Sequence, residues 1–306
     1  MENELNVTYI TLGGFVDMDK YKYLYFSIMF TAYILIIWFN FTIICLIWIH
    51  RNLHEPMYIF IAALLLNSVL FSTNIYPKLL VDFLSEKQII SYSACLFQFF
   101  INYSIGDSEF LLLTAMSYDR YVSICKPLQY LTIMRRTTVS IILVLAWLVP
   151  ACEIAVLVIL SADLKLCHLT SNGIFCNNTI YSLHCENSKT RSAFGVVALT
   201  FTALLPVLFI LFTYTRILII SYQSSRNVRK KAAQTCLPHL LVLISFSCLC
   251  AFDVIIVRLG SDFPKTVRFV LTLQTMLYHP LFNPIIYGLK MKEISKHLKK
   301  LFWSCN

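Results

Sequence analysis

Seven stretches of the chain, roughly 23–49, 57–81, 94–118, 138–161, 193–221, 237–257 and 267–289, are predominantly apolar over 20 or more residues. About 20 such residues carry an α-helix across a bilayer, and lipid offers no partner to an unpaired backbone group, so all seven are expected to be helices. A large soluble core is the competing explanation for so much apolar sequence. Composition rules it out: 58% of the residues are hydrophobic and 13% charged, against roughly 45–50% and about 25% in soluble domains. The expected fold class is an all-α membrane protein, a seven-transmembrane helix bundle spanning 23–289. Met1–Ile10 has neither a basic start nor an apolar centre, so the first span is expected to serve as its own insertion signal. No internal repeat of the kind that builds many transporters is visible.

Charge sets the orientation. With the N-terminus (1–22) outside, the inner loops and the tail (290–306) hold fifteen Lys/Arg and three acids, Glu55, Asp119 and Glu293; the rest of the chain holds ten basic and thirteen acidic residues. Basic residues collect on the cytoplasmic side, which puts the C-terminus there. The net charge of +9 is thereby read as topology, and nucleic acid is not an expected partner. Under this topology the sequons at Asn6 and Asn177 fall outside, as candidate glycosylation sites. Those at Asn40 and Asn102 lie within or at the edge of spans and are set aside. Cys95, Cys167, Cys176 and Cys185 also fall outside, where oxidising conditions favour two bridges in any of three pairings. A zinc site competes weakly, since no CxxC or paired His accompanies them.

Within the apolar spans, ionisable residues are costly and mark the bundle interior. Glu109 and Arg120 lie eleven residues apart on the third span, nearly three helical turns, and so share a face about 16 Å apart. Asn102 and Gly106 extend this polar seam outward. Asp119 is the natural partner of Arg120, because a desolvated guanidinium needs one. From Arg216 through Phe252 there is no acid. The base of the sixth span thus offers no carboxylate, and any resting restraint on Arg120 across helices must use hydroxyls or rings, with Thr235, His239, Tyr214 and Tyr287 as candidates. The bland alternative is that Asp119-Arg120 only anchors the helix at the head-group level. In the seventh span, Pro280 and Pro284 break helical hydrogen bonds and imply a kink. After it, Ile294, Leu298, Leu301 and Phe302 share one face opposite lysines, an amphipathic interfacial helix.

Five motifs in order, LHEPMYIF (53–60), MSYDRYVSICKPLQY (116–130), TYTRIL (213–218), KAAQTCLPHL (231–240) and NPIIYGLK (283–290), resemble the olfactory receptors, a branch of the rhodopsin-like G-protein-coupled receptors. LFSTNIYPKLL (70–80) is similar to the class I, fish-like division. The resemblance implies an odorant receptor that activates a stimulatory heterotrimeric G protein of the olfactory type, at the plasma membrane of olfactory neuron cilia, and not an enzyme. It pairs Cys95 with Cys176 and leaves Cys167 to Cys185. It makes Asp119, Arg120, Tyr121, Tyr214, His239, Asn283, Pro284 and Tyr287 the activation switch, and it suggests a sodium ion at Glu109. Here the chain departs from the family pattern. Ser68, beside Asn67, stands where a buried Asp is usual, so a sodium site would have one carboxylate instead of two. Phe39 replaces a usual Gly, and Phe246-Ser247-Cys248 replaces Phe-Tyr-Gly.

The expected ligand site lies in the outer half: Asn102, Tyr103, Gly106 and Asp107 on the third helix, Thr202 on the fifth, and Val254 and Arg258 on the sixth. Cys250, Val254 and Arg258 are spaced i, i+4, i+8, an apolar wall ending in a guanidinium that suits a carboxylate. The alternatives are an i, i+4 pair with Asp262 for Arg258, and an amine ligand for Asp107. The expected ligand is a small, polar, water-soluble molecule, with an acid as the specific hypothesis. Arg226, Arg229, Lys230 and Lys231 suit acidic protein or anionic lipid, and Cys305 is a palmitoylation candidate. A non-olfactory receptor of the same fold is the nearest alternative. A channel or transporter using Asp107, Glu109, Glu153 and Asp253 is the distant one.

Overall fold

A computed structural model describes residues 8–162, 164–185, 189–223, 236–251 and 264–303. Asn6, the basic stretch at 226–231, Thr235, Asp253, Val254, Arg258, Asp262 and Cys305 lie outside the described residues. In chain order the elements are β1 (Tyr9–Leu12), α1 (Met18–Ile49), α2 (Pro56–Leu84), β2 (Ile89–Ser91), α3 (Tyr92–Cys125), α4 (Tyr130–Ile133), α5 (Arg136–Ala162), β3 (Thr170–Ser171), α6 (Lys189–Leu199), α7 (Leu205–Tyr222), α8 (Cys236–Ala251), α9 (Lys265–Lys290) and α10 (Lys292–Trp303). A π-helical turn, Thr200–Leu204, joins α6 to α7 in one helix of 34 residues. Short 3-10 turns begin the connections after α1 and α3.

Among the described residues four helices are both long and apolar enough to cross a membrane: α1, α2, α5 and the continuous Lys189–Tyr222. Helix α3 has the length, at 34 residues, but Asp107, Glu109, Asp119 and Arg120 dilute its apolar character. The same holds for α9, which carries His279 and Asn283. The helices also run past the apolar stretches, α3 to Cys125 and α2 to Leu84, since helical hydrogen bonding continues beyond the hydrocarbon. Helix α2 packs along α1 and α3, α3 against α5 and α7, and α9 against α1 and α2.

The interior is layered. An outer apolar cluster contains Ile36, Ile75, Tyr76, Leu79, Phe83, Phe99 and Met276. An inner one contains Ile43, Phe60, Leu64, Leu113, Met116, Ile286 and Tyr287. On each of α1, α2, α3 and α9, buried polar side chains fall between the two: Asn40, then Ser68 and Ser72, then Ser108 and Glu109, then Asn283.

The prolines of α9 tie this layer together. A proline has no N–H, so the carbonyl four residues earlier loses its helical partner. Pro280 orphans the Met276 carbonyl, and Tyr76 Oη donates to it at 3.3 Å. Pro284 orphans the Pro280 carbonyl, and Asn40 Nδ2 donates to it at 2.9 Å while also donating to Ile36 O at 2.8 Å. Both broken bonds are thus repaired from neighbouring helices.

The outer face carries a roof that the apolar pattern does not announce. Strand β1 pairs antiparallel with β2 and parallel with β3 in a three-stranded sheet, order β2-β1-β3. Ile10 and Leu12 point inward and are buried. At Gly14 the chain passes so close to the outer loop that a Cβ would sit 2.6 Å from the Gly173 carbonyl carbon. Disulfides Cys95–Cys176 and Cys167–Cys185 fix that loop. Asn177 is buried, and its amide oxygen accepts from the Thr179 N–H and Oγ1 at 3.1 and 2.7 Å. That inward placement is unlike a surface glycan acceptor.

Beside the second bridge, His184 lies in a directed chain. Arg191 Nη1 donates to His184 Nδ1 at 2.9 Å, leaving Nε2–H to face Tyr92 Oη at 2.9 Å, and Tyr92 donates to Ser161 O at 2.8 Å. The Arg191 guanidinium also covers the Tyr181 ring at 4.4 Å. Burial first, then the Arg191 charge, hold the His184 imidazole below its usual pKa, so the fold favours the neutral ring.

Two outcomes test these contacts. Asn40→Ala leaves the Pro280 carbonyl buried and unpaired, a loss of roughly 1–3 kcal/mol; Tyr76→Phe should cost about 1 kcal/mol. Thermal unfolding of the purified chain in detergent measures both, and an unchanged Asn40→Ala midpoint would contradict the repair. For His184, a lowered folded pKa means its contribution is complete above about pH 6.5, the unfolded value, and is lost as pH falls below it. The melting temperature of the wild type should therefore drop more steeply than that of His184→Gln on acidification; parallel profiles would refute the assignment.

Candidate functional site

At the inner end of α3, Asp119 is fully buried and Arg120 nearly so. The Arg120 Nε donates to Asp119 Oδ2 at 3.0 Å, and Nη2 meets the same oxygen. The other carboxylate oxygen, Oδ1, accepts from Tyr130 Oη at 2.8 Å. Tyr130 begins α4, the short turn in the inner loop, so loop and helix share one carboxylate. Burial and the adjacent Asp119 charge push the Tyr130 hydroxyl well above its usual range, which keeps it a donor. Tyr130 ends the motif MSYDRYVSICKPLQY, where nothing in its neighbours along the chain marks a role for it. No periodicity reveals that a residue eleven positions away in a loop folds back on Asp119.

The other switch residues gather around this pair. Tyr214, His239 and Cys236 all lie within electrostatic reach of Arg120. His239 Nδ1 is 3.4 Å from Tyr287 Oη, with both side chains buried. The Tyr214 hydroxyl is buried with no hydrogen-bond partner among the described residues. Tyr121 packs against the inner core. No ion pair joins α8 to Arg120 among the described residues, and its hydrogen bonds run to Asp119 on its own helix, which the adjoining loop holds through Tyr130.

One layer outward, Asn283 Nδ2 donates to Glu109 Oε1 at 3.2 Å and to Ser68 Oγ at 3.1 Å. The second Glu109 oxygen faces His279 Nε2 at 2.5 Å, out of line for a regular hydrogen bond. Asn67 does not join them. Its carbonyl oxygen accepts from Trp147 Nε1 at 2.8 Å, and its amide donates to Ser108 Oγ at 2.7 Å. His279 was missed because its span was read for prolines. Its spacing within HPLFNP, four residues before Asn283 on one helical face, was the available signal.

In the outer half, Asn102, Tyr103 and Gly106 lie together beneath the outer loop. The Tyr103 hydroxyl accepts from the Asn178 N–H at 3.0 Å. The Phe99 ring lies tilted against Tyr103 at 4.5 Å and edge-on to Tyr181 at 5.7 Å. Asn102 is buried, its amide oxygen unmatched among the described residues. Beside Gly106 a Cβ would meet nothing within 4 Å, so this glycine borders open space. Asp107 faces α5, with Glu153 as its charged neighbour. Thr202 sits in the π-helical turn, which packs against α3; its side chain is buried and its hydroxyl donates to Ala198 O at 2.8 Å.

Gln98 anchors the roof to this region. Its side chain accepts from the Cys176 N–H at 2.9 Å and donates to Asn74 O at 3.1 Å, while Asn74 Nδ2 returns a bond to Gln98 O at 3.1 Å.

Residues 26–304 match the family model described as olfactory receptor. The chain is 31% identical to human olfactory receptor 4K3 over 304 residues, covering 98% of this chain and 94% of that receptor. It is 32% identical to human olfactory receptor 11H1, covering 96% and 91%, and 31% identical to human olfactory receptor 13C2, covering 98% and 96%. The chain belongs to the olfactory receptor family: it is an odorant receptor acting through G proteins in the plasma membrane, and not an enzyme.

Proposed function

We propose that the chain spans the membrane seven times, with its N-terminus outside, and couples a small polar odorant in the outer half to a stimulatory G protein inside. The positive charge of the inner segments supports the orientation. LFSTNIYPKLL supports a class I receptor, and family membership supports residence in neuronal cilia.

The observation that carries the mechanism is the local restraint of Arg120. Its partners are Asp119, the adjacent residue, and through Asp119 the loop residue Tyr130. Releasing the guanidinium from Asp119 therefore breaks a bond within α3 and not an ion pair between α3 and α8 among the described residues. In the active arrangement the inner end of α8 moves away from α3, and Arg120 turns toward Tyr214 and Tyr287 to line a crevice for a G-protein helix. A ligand drives this only by its difference in affinity for the two arrangements; a tenfold preference is worth about 1.4 kcal/mol. Asn283 and Pro284 permit α9 to repack, because the missing N–H makes a hinge there.

The ligand is proposed to rest beside Asn102, whose buried amide oxygen is unmatched among the described residues, and Gly106, which borders open space. Val254 and Arg258 of the sixth span lie outside the described residues; as a residue type, Arg258 suits a carboxylate ligand. The inner basic segments and α10, whose Ile294 is buried and whose lysines face outward, lie against anionic lipid.

Two experiments test this reading in cells with a cyclic-AMP readout. Tyr130→Phe removes one of the bonds holding Asp119 and should raise agonist-free signalling several-fold, while Arg120→Ala at equal surface expression should abolish the agonist response. An Arg120→Ala receptor that signals normally would end the mechanism. Arg258→Ala should lose responses to carboxylic acids and keep those to neutral odorants; unchanged acid responses would end the assignment of ligand class.

A further inference from the structure

We propose that the His279 imidazole occupies the place of a cation beside Glu109, so that the central polar layer of this receptor is closed by its own base and takes no sodium ion.

The residues that would hold sodium are Glu109, Ser68 and Asn67. A hard cation is held by oxygen atoms with lone pairs turned toward it, and here all of the candidate oxygens but Glu109 Oε2 already accept from an N–H group. Glu109 Oε1 and Ser68 Oγ both accept from Asn283 Nδ2, at 3.2 and 3.1 Å. Ser68 Oγ in turn lies 3.4 Å from Leu64 O, to which it donates. Asn67 Oδ1 accepts from Trp147 Nε1, and the hydroxyl of Ser108, which accepts from Asn67, donates to Ile105 O at 2.8 Å. Ser72 Oγ donates to Ser68 O at 2.8 Å. The remaining carboxylate oxygen, Glu109 Oε2, faces His279 Nε2. The residues present do not fit a sodium ion.

The imidazole is also enclosed. Its ring lies 5.7 Å from that of Phe71 and 4.8 Å from that of Phe246, which in turn stands 4.7 Å from Phe110. The side chains of His279 and Glu109 are 9% and 1% exposed. A buried acid needs a partner, and the imidazole stands against the carboxylate oxygen where a cation would otherwise supply one. The arrangement also links α3 to α9 directly, and it does not depend on which odorant the receptor takes.

A cation that binds only the folded state raises the melting temperature. The test is thermal unfolding of the purified full-length receptor in sodium chloride against potassium or choline chloride at equal ionic strength. The wild type should melt at the same temperature in all three salts. His279→Ala and the milder His279→Gln strip the carboxylate of its base; both should melt lower in potassium and regain several degrees in sodium. Glu109→Gln, added to either, should remove that gain. A wild-type melting temperature that rises saturably with sodium, and stops doing so in Glu109→Gln, would overturn the proposal. So would the absence of any sodium gain in His279→Gln. Should neither His279 variant fold, the ring-nitrogen NMR shifts of 15N-histidine-labelled wild type decide: unmoved by sodium they support an imidazole held on Glu109, and displaced by it they refute it.

Discussion

Lipid supplies no hydrogen bonds, so every broken backbone bond inside the bilayer must be repaired by the protein. This constraint organises the middle of the receptor. Pro280 and Pro284 free two carbonyls on one face of α9, and only a donor from another helix can reach them. Tyr76 on α2 and Asn40 on α1 do so. The kink is therefore also the attachment, because α9 cannot slide or rotate against α1 and α2 without leaving a carbonyl unpaired. That fixed register brings His279 and Asn283 to the two oxygens of Glu109 on α3.

Around this seam the interior alternates between two kinds of adhesion. The apolar clusters above and below are held by packing that tolerates small shifts in direction. The polar layer between them is held by directed bonds that must be either kept or exchanged. Such a layer favours discrete arrangements over gradual deformation. The replacement of a usual Tyr by Ser247 bears on this. It removes a ring from α8 near Phe246, so contact from α8 to the polar layer passes through the Phe246 ring resting on Phe110 and His279.

Much of this was legible in the sequence. The apolar stretches located the helices, and the eleven-residue spacing of Glu109 and Arg120 placed both on one buried seam. Periodicity could not show where helices end, because α2 and α3 continue past the lipid-facing residues that define the signal. It also missed contacts set by tertiary fold-back: Tyr130 returning to Asp119, Trp147 claiming Asn67, and His279 reaching Glu109. The β1 strand was hidden for another reason. Four residues with two inward side chains are too short a pattern to stand out, and their partners lie 78–82 and 159 positions away along the chain.

The two faces of the receptor are held together by different means. Outside, the Cys95–Cys176 bridge closes a separation of 81 residues and Cys167–Cys185 one of 18, and bridges over such loops typically contribute about 3–5 kcal/mol each. The sheet, the Gln98–Asn74 exchange and the Arg191–His184–Tyr92 chain add to them. Inside, the contacts of α8 with its neighbours near Arg120 include one long His239–Tyr287 contact, the electrostatic proximity of Cys236 and apolar packing. A change in ligand contact at Asn102 or Gly106 thus meets a cross-linked roof above and a weakly joined floor below. Displacement follows the softer direction, so the helices part at the cytoplasmic end, where Arg120 waits with a partner on its own helix.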